Sequence, residues 1–180
     1  MQKLYHTDRL LLASLDPSAA PLVLDYLIRN KDDFSKYEPA KEESFYTVPR
    51  QEMVLDAEQQ LFERKLGARY YIFLNNDPDK VIGNVSFAHT EGPVCMIGYR
   101  IDLNYRRRGI AYEATSLLLP KVLDREGPDM LEADIYPNNI ASVNLALKLG
   151  FRESGTSSFR GRDLIRYTLF NAFKHSSDQS

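Results

Sequence analysis

The sequence predicts a mixed α/β domain, and three observations carry that prediction. Residues 68–74, 81–88 and 94–102 are three apolar runs joined by Asn76-Asp77-Pro78-Asp79 and Thr90-Glu91-Gly92-Pro93, the turn chemistry of an antiparallel meander. Elsewhere apolar residues recur at helical spacing. The run from Val94 to Ile101 passes into a helix through the basic turn Tyr105-Arg106-Arg107-Arg108-Gly109-Ile110-Ala111.

The remaining elements follow in order. Arg9 to Leu15 reads as a first strand. Asp16-Pro17 places a cap before a helical proline, and Ala20, Val23, Leu24, Leu27 and Ile28 extend a helix to about Asn30. Residues 31–47 mix Asp32, Asp33, Glu38, Glu42 and Glu43 with Phe34, Tyr37, Phe45 and Tyr46 around Pro39, which reads as a long loop with one short helical turn. Thr47 and Pro49 start a second helix, with Met53, Val54, Ala57 and Leu61 on one face and Gly67 as its stop. The third helix runs from the basic turn to about Arg125, with Ile110, Ala114, Leu117 and Leu118 inward. Pro120 is expected to kink it, because its nitrogen cannot bond to the Ser116 carbonyl.

Residues 130–136 form a fifth strand, and Asn139 to Leu149 a short helix ended by Gly150. Residues 151–159 and 163–170 close the chain as a hairpin around Gly161. There is no internal repeat or linker, so residues 1–173 are expected to form a single domain. The polar tail 174–180 is expected to be disordered.

A chain of 180 residues can bury a sizeable core. A formal net charge of −2 and a pI near 5.9 argue against a dedicated nucleic-acid binder, so any basic site must be local. The single Cys95 excludes an intrachain disulfide and reads as a small buried side chain. Three scattered histidines offer no ligand spacing, so no metal is expected. With no long apolar segment, neither a signal peptide nor a membrane span is expected, and the location implied is cytoplasmic.

Three motifs can carry chemistry. In the first, a glycine at the handover from strand to helix lets backbone amides from about Arg107 to Ala111 form a nest for a pyrophosphate. The plain alternative is a charged surface turn. No G-x-G-x-x-G is present and no Gly-Lys-Ser/Thr follows, which excludes a dinucleotide fingerprint and a P-loop. In the second, Asn139-Ile140-Ala141-Ser142 opens a helix, where Asn139 is a cap and Ser142 either helps it or lines a crevice. The third is Lys148-Leu149-Gly150-Phe151, a helix stop followed by a core aromatic.

In this order the motifs resemble the GNAT superfamily of acyl-CoA-dependent N-acyltransferases. Arg106-x-x-Gly109-x-Ala111 is similar to the family's pyrophosphate motif, and Asn139-x-x-Ser142 with Lys148-x-Gly150-Phe151 is similar to its fourth-helix signature. Arg9-Leu10-Leu11-Leu12, Ile82-Gly83-Asn84-Val85-Ser86, Ile97-Gly98-Tyr99 and Gly109 to Ala114 further resemble the RimJ/RimL branch, which acetylates ribosomal-protein N-termini. The resemblance covers about residues 4–170. It implies a mostly antiparallel sheet of six to seven strands flanked by about four helices, splayed between the fourth and fifth strands.

The resemblance also implies acetyl-CoA as donor and a primary amine as acceptor, either a protein or peptide N-terminus or a small amine. Backbone around Ile101 to Leu103 would pair with the pantetheine arm. The pyrophosphate would sit on Arg107 to Ala111, including Ile110, with Arg106 and Arg108 as flexible counter-charges, and Asn139 and Ser142 would complete the donor site. Where many members carry a tyrosine acid this chain has Ala146, which leaves Ser142 as the candidate acid. Candidate bases are Glu38, His89 and Asp102. The loop from Asp32 to Tyr46 is the expected acceptor wall, with Phe34, Tyr37, Glu38 and Tyr46 in contact and its carboxylates favouring a cationic amine. A non-catalytic acyl-CoA-binding module is the alternative function. A monomer or homodimer is expected, with no nucleic-acid or membrane partner.

Overall fold

The computed structural model describes residues 3–39, 41–90 and 92–175. Its elements are β1 (Leu4–His6), β2 (Leu10–Ala13), α1 (Ala20–Arg29), α2 (Lys31–Phe34), α3 (Val48–Glu63), β3 (Gly67–Leu74), β4 (Gly83–His89) and β5 (Val94–Ile101). They continue with α4 (Ile110–Val122), β6 (Met130–Ile135), α5 (Ile140–Lys148), β7 (Arg152–Phe159), β8 (Arg162–Phe170) and α6 (Ala172–His175). Neighbouring strands follow the order β1-β2-β3-β4-β5-β6-β8-β7. The pairs β1/β2, β2/β3, β6/β8 and β7/β8 are antiparallel, whereas β5/β6 is parallel. The mixed α/β class is as expected. The additions are the three-residue β1 and the four-residue α6, while α2 is a short helical turn within residues 31–47 as read. Elements that short carry no period to read.

The chain divides into two compact units, residues 1–86 with 99–114, and residues 87–98 with 115–180. In the first unit Ala13, Val23, Tyr26, Leu27, Leu55 and Phe73 belong to one buried cluster. The Asp16 carboxylate accepts from the Ser18 amide at 2.9 Å and caps a 3₁₀ turn over Pro17–Ala19 that leads into α1. Helix α3 departs from the reading of its faces. Gln51 and Leu55 are its buried residues, while Met53 is 63% exposed and Leu61 43% exposed. Val54, Ala57 and Leu61 instead line a cavity. An apolar stripe that walls a cavity has the same period as one that fills a core.

The stop of α3 is also made by another residue. Lys65, not Gly67, takes the left-handed conformation at φ 57°. The Lys65 amide donates to Phe62 O at 3.0 Å and the Leu66 amide to Leu61 O at 2.8 Å, the paired bonds of a Schellman stop. Gly67 is the first residue of β3.

In the second unit Cys95, Ile97, Leu118, Leu131, Ala133 and Tyr167 are buried. Burial pushes the Cys95 thiol up to about 11. Helix α4 ends at Val122 and runs through Pro120, with the Leu123 amide donating to Leu119 O at 2.8 Å. Gly150 stops α5 at φ 93°, its amide donating to Leu147 O at 3.1 Å while that of Phe151 donates to Ala146 O at 3.0 Å. Asn171 is buried, and its side-chain amide donates to Asp124 O at 2.8 Å and Pro128 O at 2.9 Å. Lys174 lies in α6 and pairs with Asp129 at 2.8 Å, so the expected tail begins inside a helix. Residues 176–180 lie outside the described residues. Among the described residues no helix is long and apolar enough to cross a membrane.

Lys65→Gly is expected to stabilise the protein by about 0.5–1 kcal/mol, because glycine adopts this conformation without the Cβ penalty. Thermal melting should show a rise of roughly 1–4 °C. A fall would contradict the assignment of Lys65 as the strained stop.

Candidate functional site

The basic turn is built by backbone geometry before charge enters. Arg107 at φ 59° and Gly109 at φ 76° are both left-handed and deliver the chain to the N-terminus of α4. A Cβ on Gly109 would meet only Arg9 Nη2, at 3.8 Å, so conformation rather than crowding requires the glycine. The Glu113 amide donates to Gly109 O at 3.0 Å and closes the first helical turn. Amides before it have no acceptor inside the helix, and the dipole adds fractional positive charge. Arg107 and Arg108 are exposed, with the Arg108 guanidinium 5.2 Å from the Tyr105 ring centre.

A brace from the start of β2 holds this turn. Arg9 Nη2 donates to Arg108 O at 3.2 Å, and Arg9 Nε to Glu113 Oε2 at 2.9 Å. Thr7 Oγ1 donates to Glu113 Oε1 at 2.5 Å. Burial pushes the Glu113 carboxyl up, but the bonds from Arg9 and Thr7 outweigh it and hold the group below the usual carboxylate range. Arg9 thereby neutralises a carboxylate that would otherwise repel an anion at the helix start.

Arg106 does not act as a flexible counter-charge. Its guanidinium forms a bidentate pair with buried Asp33, Nη1 to Oδ1 at 3.1 Å and Nη2 to Oδ2, and its Nε donates to Ile101 O at 3.2 Å. The stretch expected to pair with pantetheine is likewise partly engaged. Ile101 O accepts from Arg106, the Asp102 amide donates to Ile82 O at 2.9 Å, and the Leu103 amide donates to Asn30 Oδ1 at 3.0 Å.

Asp102 is 1% exposed. Its Oδ2 accepts from Arg29 Nε at 2.6 Å and Asn30 Nδ2 at 3.1 Å, and its Oδ1 from the Asn104 amide at 2.9 Å. Burial alone would raise its pKa, but the bonds from Asn30, Asn104 and Arg29 bring it below the ordinary value. A base role does not fit such a group, because a carboxylate held this firmly ionised has little drive to take a proton at neutral pH.

The first unit also contains a cavity of about 360 Å³, within the range of small-molecule sites. Phe34, Glu38 and Tyr46 line it, whereas half-buried Tyr37 is not among its lining residues. The acidity of the loop is largely cancelled. Glu38 pairs with Arg100, Glu43 with Lys31 at 2.5 Å, and Asp33 with Arg106 and with Lys36 at 3.1 Å. Sequence reading missed Arg100, Arg69 and Glu58 as lining residues. Arg69 Nη1 meets Glu58 Oε1 at 2.5 Å, and burial raises the Glu58 pKa against the opposing pull of Arg69 and a 3.1 Å bond from Tyr71. Only Arg69 and Arg100 breaking otherwise apolar strands could have signalled them.

In the second unit the Asn139 side chain caps α5, accepting from the Ser142 amide at 3.3 Å. Ser142 is half-buried in the first turn of that helix. Ala146 is buried, so no phenol stands there. His89 is exposed at the end of β4. Among the described residues no group of three or more His, Cys, Asp or Glu could hold a metal.

Residues 9–152 match the family model for the acetyltransferase (GNAT) domain. A Bacillus subtilis (strain 168) protein, probable N-acetyltransferase YjcK, is 29% identical over 129 residues, covering 70% of this chain and 71% of the relative. The ribosomal-protein-S5-alanine acetyltransferase of Vibrio fischeri superposes with a TM-score of 0.87 at 20% identity, over 94% of this chain and 97% of that one. RimL, a ribosomal L7/L12 α-N-protein acetyltransferase in complex with coenzyme A, gives a TM-score of 0.83 at 19% identity, over 95% and 99%. At these identities the two structures share the fold.

Asp102→Asn preserves shape but removes the buried carboxylate that accepts from Arg29, which keeps Asp25 as a more exposed partner, and is expected to cost about 1.5–3 kcal/mol at neutral pH. The folded pKa is lowered, so this contribution is complete above the ordinary carboxylate value of about 4 and is lost as pH falls through the folded value. Urea unfolding at pH 7 and pH 3 should therefore show the gap between wild type and variant narrowing in acid. A gap independent of pH would contradict the assignment.

Proposed function

The chain belongs to the GNAT acetyltransferase family, and on that footing we propose that it transfers an acetyl group from acetyl-CoA to a primary amine by direct attack on the thioester. Family membership and the named relative make it an acetyltransferase, which sets aside the non-catalytic binding module. The observation that carries the donor assignment is the braced turn of Arg107 to Ala111 at the start of α4. A coenzyme A complex of a structural neighbour supports the same donor.

In this reading the pyrophosphate rests on the amides of Arg107 to Ala111, with the exposed Arg107 and Arg108 supplying mobile positive charge. Arg106 is structural, because it already holds Asp33. The Asn139 cap fixes the first turn of α5 and with it the Ser142 hydroxyl, which protonates the departing thiolate. Glu38 and His89 remain as candidate bases: Glu38 lines the cavity assigned to the acceptor but is paired with Arg100, and His89 is exposed at the end of β4. The proton would leave the ammonium through water to one of them. Donor and acceptor roles fall within one acetyltransferase domain over residues 1–173, working in the cytoplasm on a protein or peptide N-terminus or a small amine.

Acetyl-CoA at about 100 times its Kd should raise the melting temperature by about 5–10 °C. Nucleotides without the pantetheine arm should do much less. Free-thiol release with an amine panel measures turnover. Ser142→Ala should lower kcat by at least about 100-fold with acetyl-CoA binding retained. Unchanged turnover removes Ser142 as the acid, and no thermal shift with either CoA or acetyl-CoA removes the donor assignment.

A further inference from the structure

The cavity of the first unit has a composition that the acidic loop does not suggest. Lys31, Lys41, Arg69 and Arg100 line it against only two carboxylates, Glu38 and Glu58. Each carboxylate is already taken, Glu38 by Arg100 and Glu58 by Arg69. Lys31 has its own partner in Glu43, which is not a lining residue. Lys41 has no carboxylate partner among the described residues, and Arg69 Nε is buried with no hydrogen-bond partner among them. Positive charge is in surplus.

The aromatic faces are also occupied. Lys31 Nζ lies 4.5 Å from the Tyr46 ring centre, Lys41 Nζ 5.5 Å from that of Phe45, and the Arg100 guanidinium 5.6 Å from that of Phe34. Rings that would attract a substrate ammonium are thus capped by the protein's own cations, which repel a second one. What remains open is an apolar wall from Val54, Ala57 and Leu61 beside the exposed Lys41 ammonium.

We infer that this cavity selects amine acceptors carrying an anionic group next to an apolar body, and discriminates against polycationic amines. The inference rests on the acetyltransferase reading and narrows its substrate class. The anion is a carboxylate, either the α-carboxylate of an amino acid or an acidic side chain beside the N-terminus of a peptide. Each would gain charge-assisted bonds that a neutral isostere cannot make.

Matched acceptors separate these cases: phenylalanine against phenylalaninamide, and Ala-Glu-amide against Ala-Gln-amide and Ala-Lys-amide, with spermidine as the polycation. At least one anionic member should exceed its neutral partner by about tenfold or more in kcat/KM, mainly through KM. The pair that shows the gap identifies the source of the carboxylate. The double variant Lys31→Gln/Lys41→Gln should bring that ratio below about threefold while keeping the wild-type melting response to acetyl-CoA. Equal rates within both pairs, or a preference for spermidine or Ala-Lys-amide, overturns the inference.

Should no acceptor be acetylated although acetyl-CoA shifts the melt, the transfer reading fails, and equilibrium binding still tests the cavity. Calorimetry with CoA present should find N-acetylphenylalanine or N-acetyl-Ala-Glu-amide bound about tenfold tighter than its neutral counterpart, with the gap lost in the double variant. Equal binding within both pairs overturns the inference independently of turnover.

Discussion

A turn with two left-handed residues and three arginines has little reason to keep one shape, and Arg9 gives it one. One guanidinium bonds to the Arg108 carbonyl and pairs with Glu113, tying the turn and the first turn of α4 to the start of β2. Half-exposed pairs of this kind contribute at most about 1 kcal/mol to stability. Their importance lies in position. The amides at the head of α4 can serve a phosphate only if they point the same way before it arrives, and a site ordered in advance does not spend binding energy on ordering.

Two further anchors in the same unit hold the approach to that turn. Asp102 fixes the end of β5 to α1 through Arg29 and Asn30, and Arg106 fixes the next residues to α2 through Asp33. Both anchors end on the segment that leads into the acceptor loop. Asn30 serves twice, donating to Asp102 and accepting from the Leu103 amide. Ion pairs that look like surface decoration in the sequence are therefore the frame on which the proposed donor site is assembled. The same pairing explains why an acid-rich loop borders a cavity with surplus positive charge.

Much of this was legible in the chain itself. Elements longer than about four residues announced themselves by period and caps, as with the Asp16 cap, the Gly150 stop and the turn at Gly109. The three-residue β1 and the four-residue α6 did not, being too short for a period to recur, and α2 was legible only as one short turn within residues 31–47. Roles set by partners distant in sequence were also hidden. Arg106 and Asp33 are 73 residues apart, as are Arg29 and Asp102, and no local rule distinguishes a mobile arginine from a paired one. The stripe Val54–Ala57–Leu61 shows the same limit, since periodicity reports a shared face but not whether that face meets core or cavity.

The central claim is that the braced turn is a preorganised pyrophosphate cradle. Comparing CoA with S-acetylpantetheine, which lacks the pyrophosphate, on wild type and Arg9→Gln tests it directly by titration calorimetry. Loss of the brace should weaken CoA by about tenfold, through lost ordering and the uncompensated charge of Glu113, and leave S-acetylpantetheine within about twofold. Equal weakening of both ligands, or no weakening of CoA, would contradict the account.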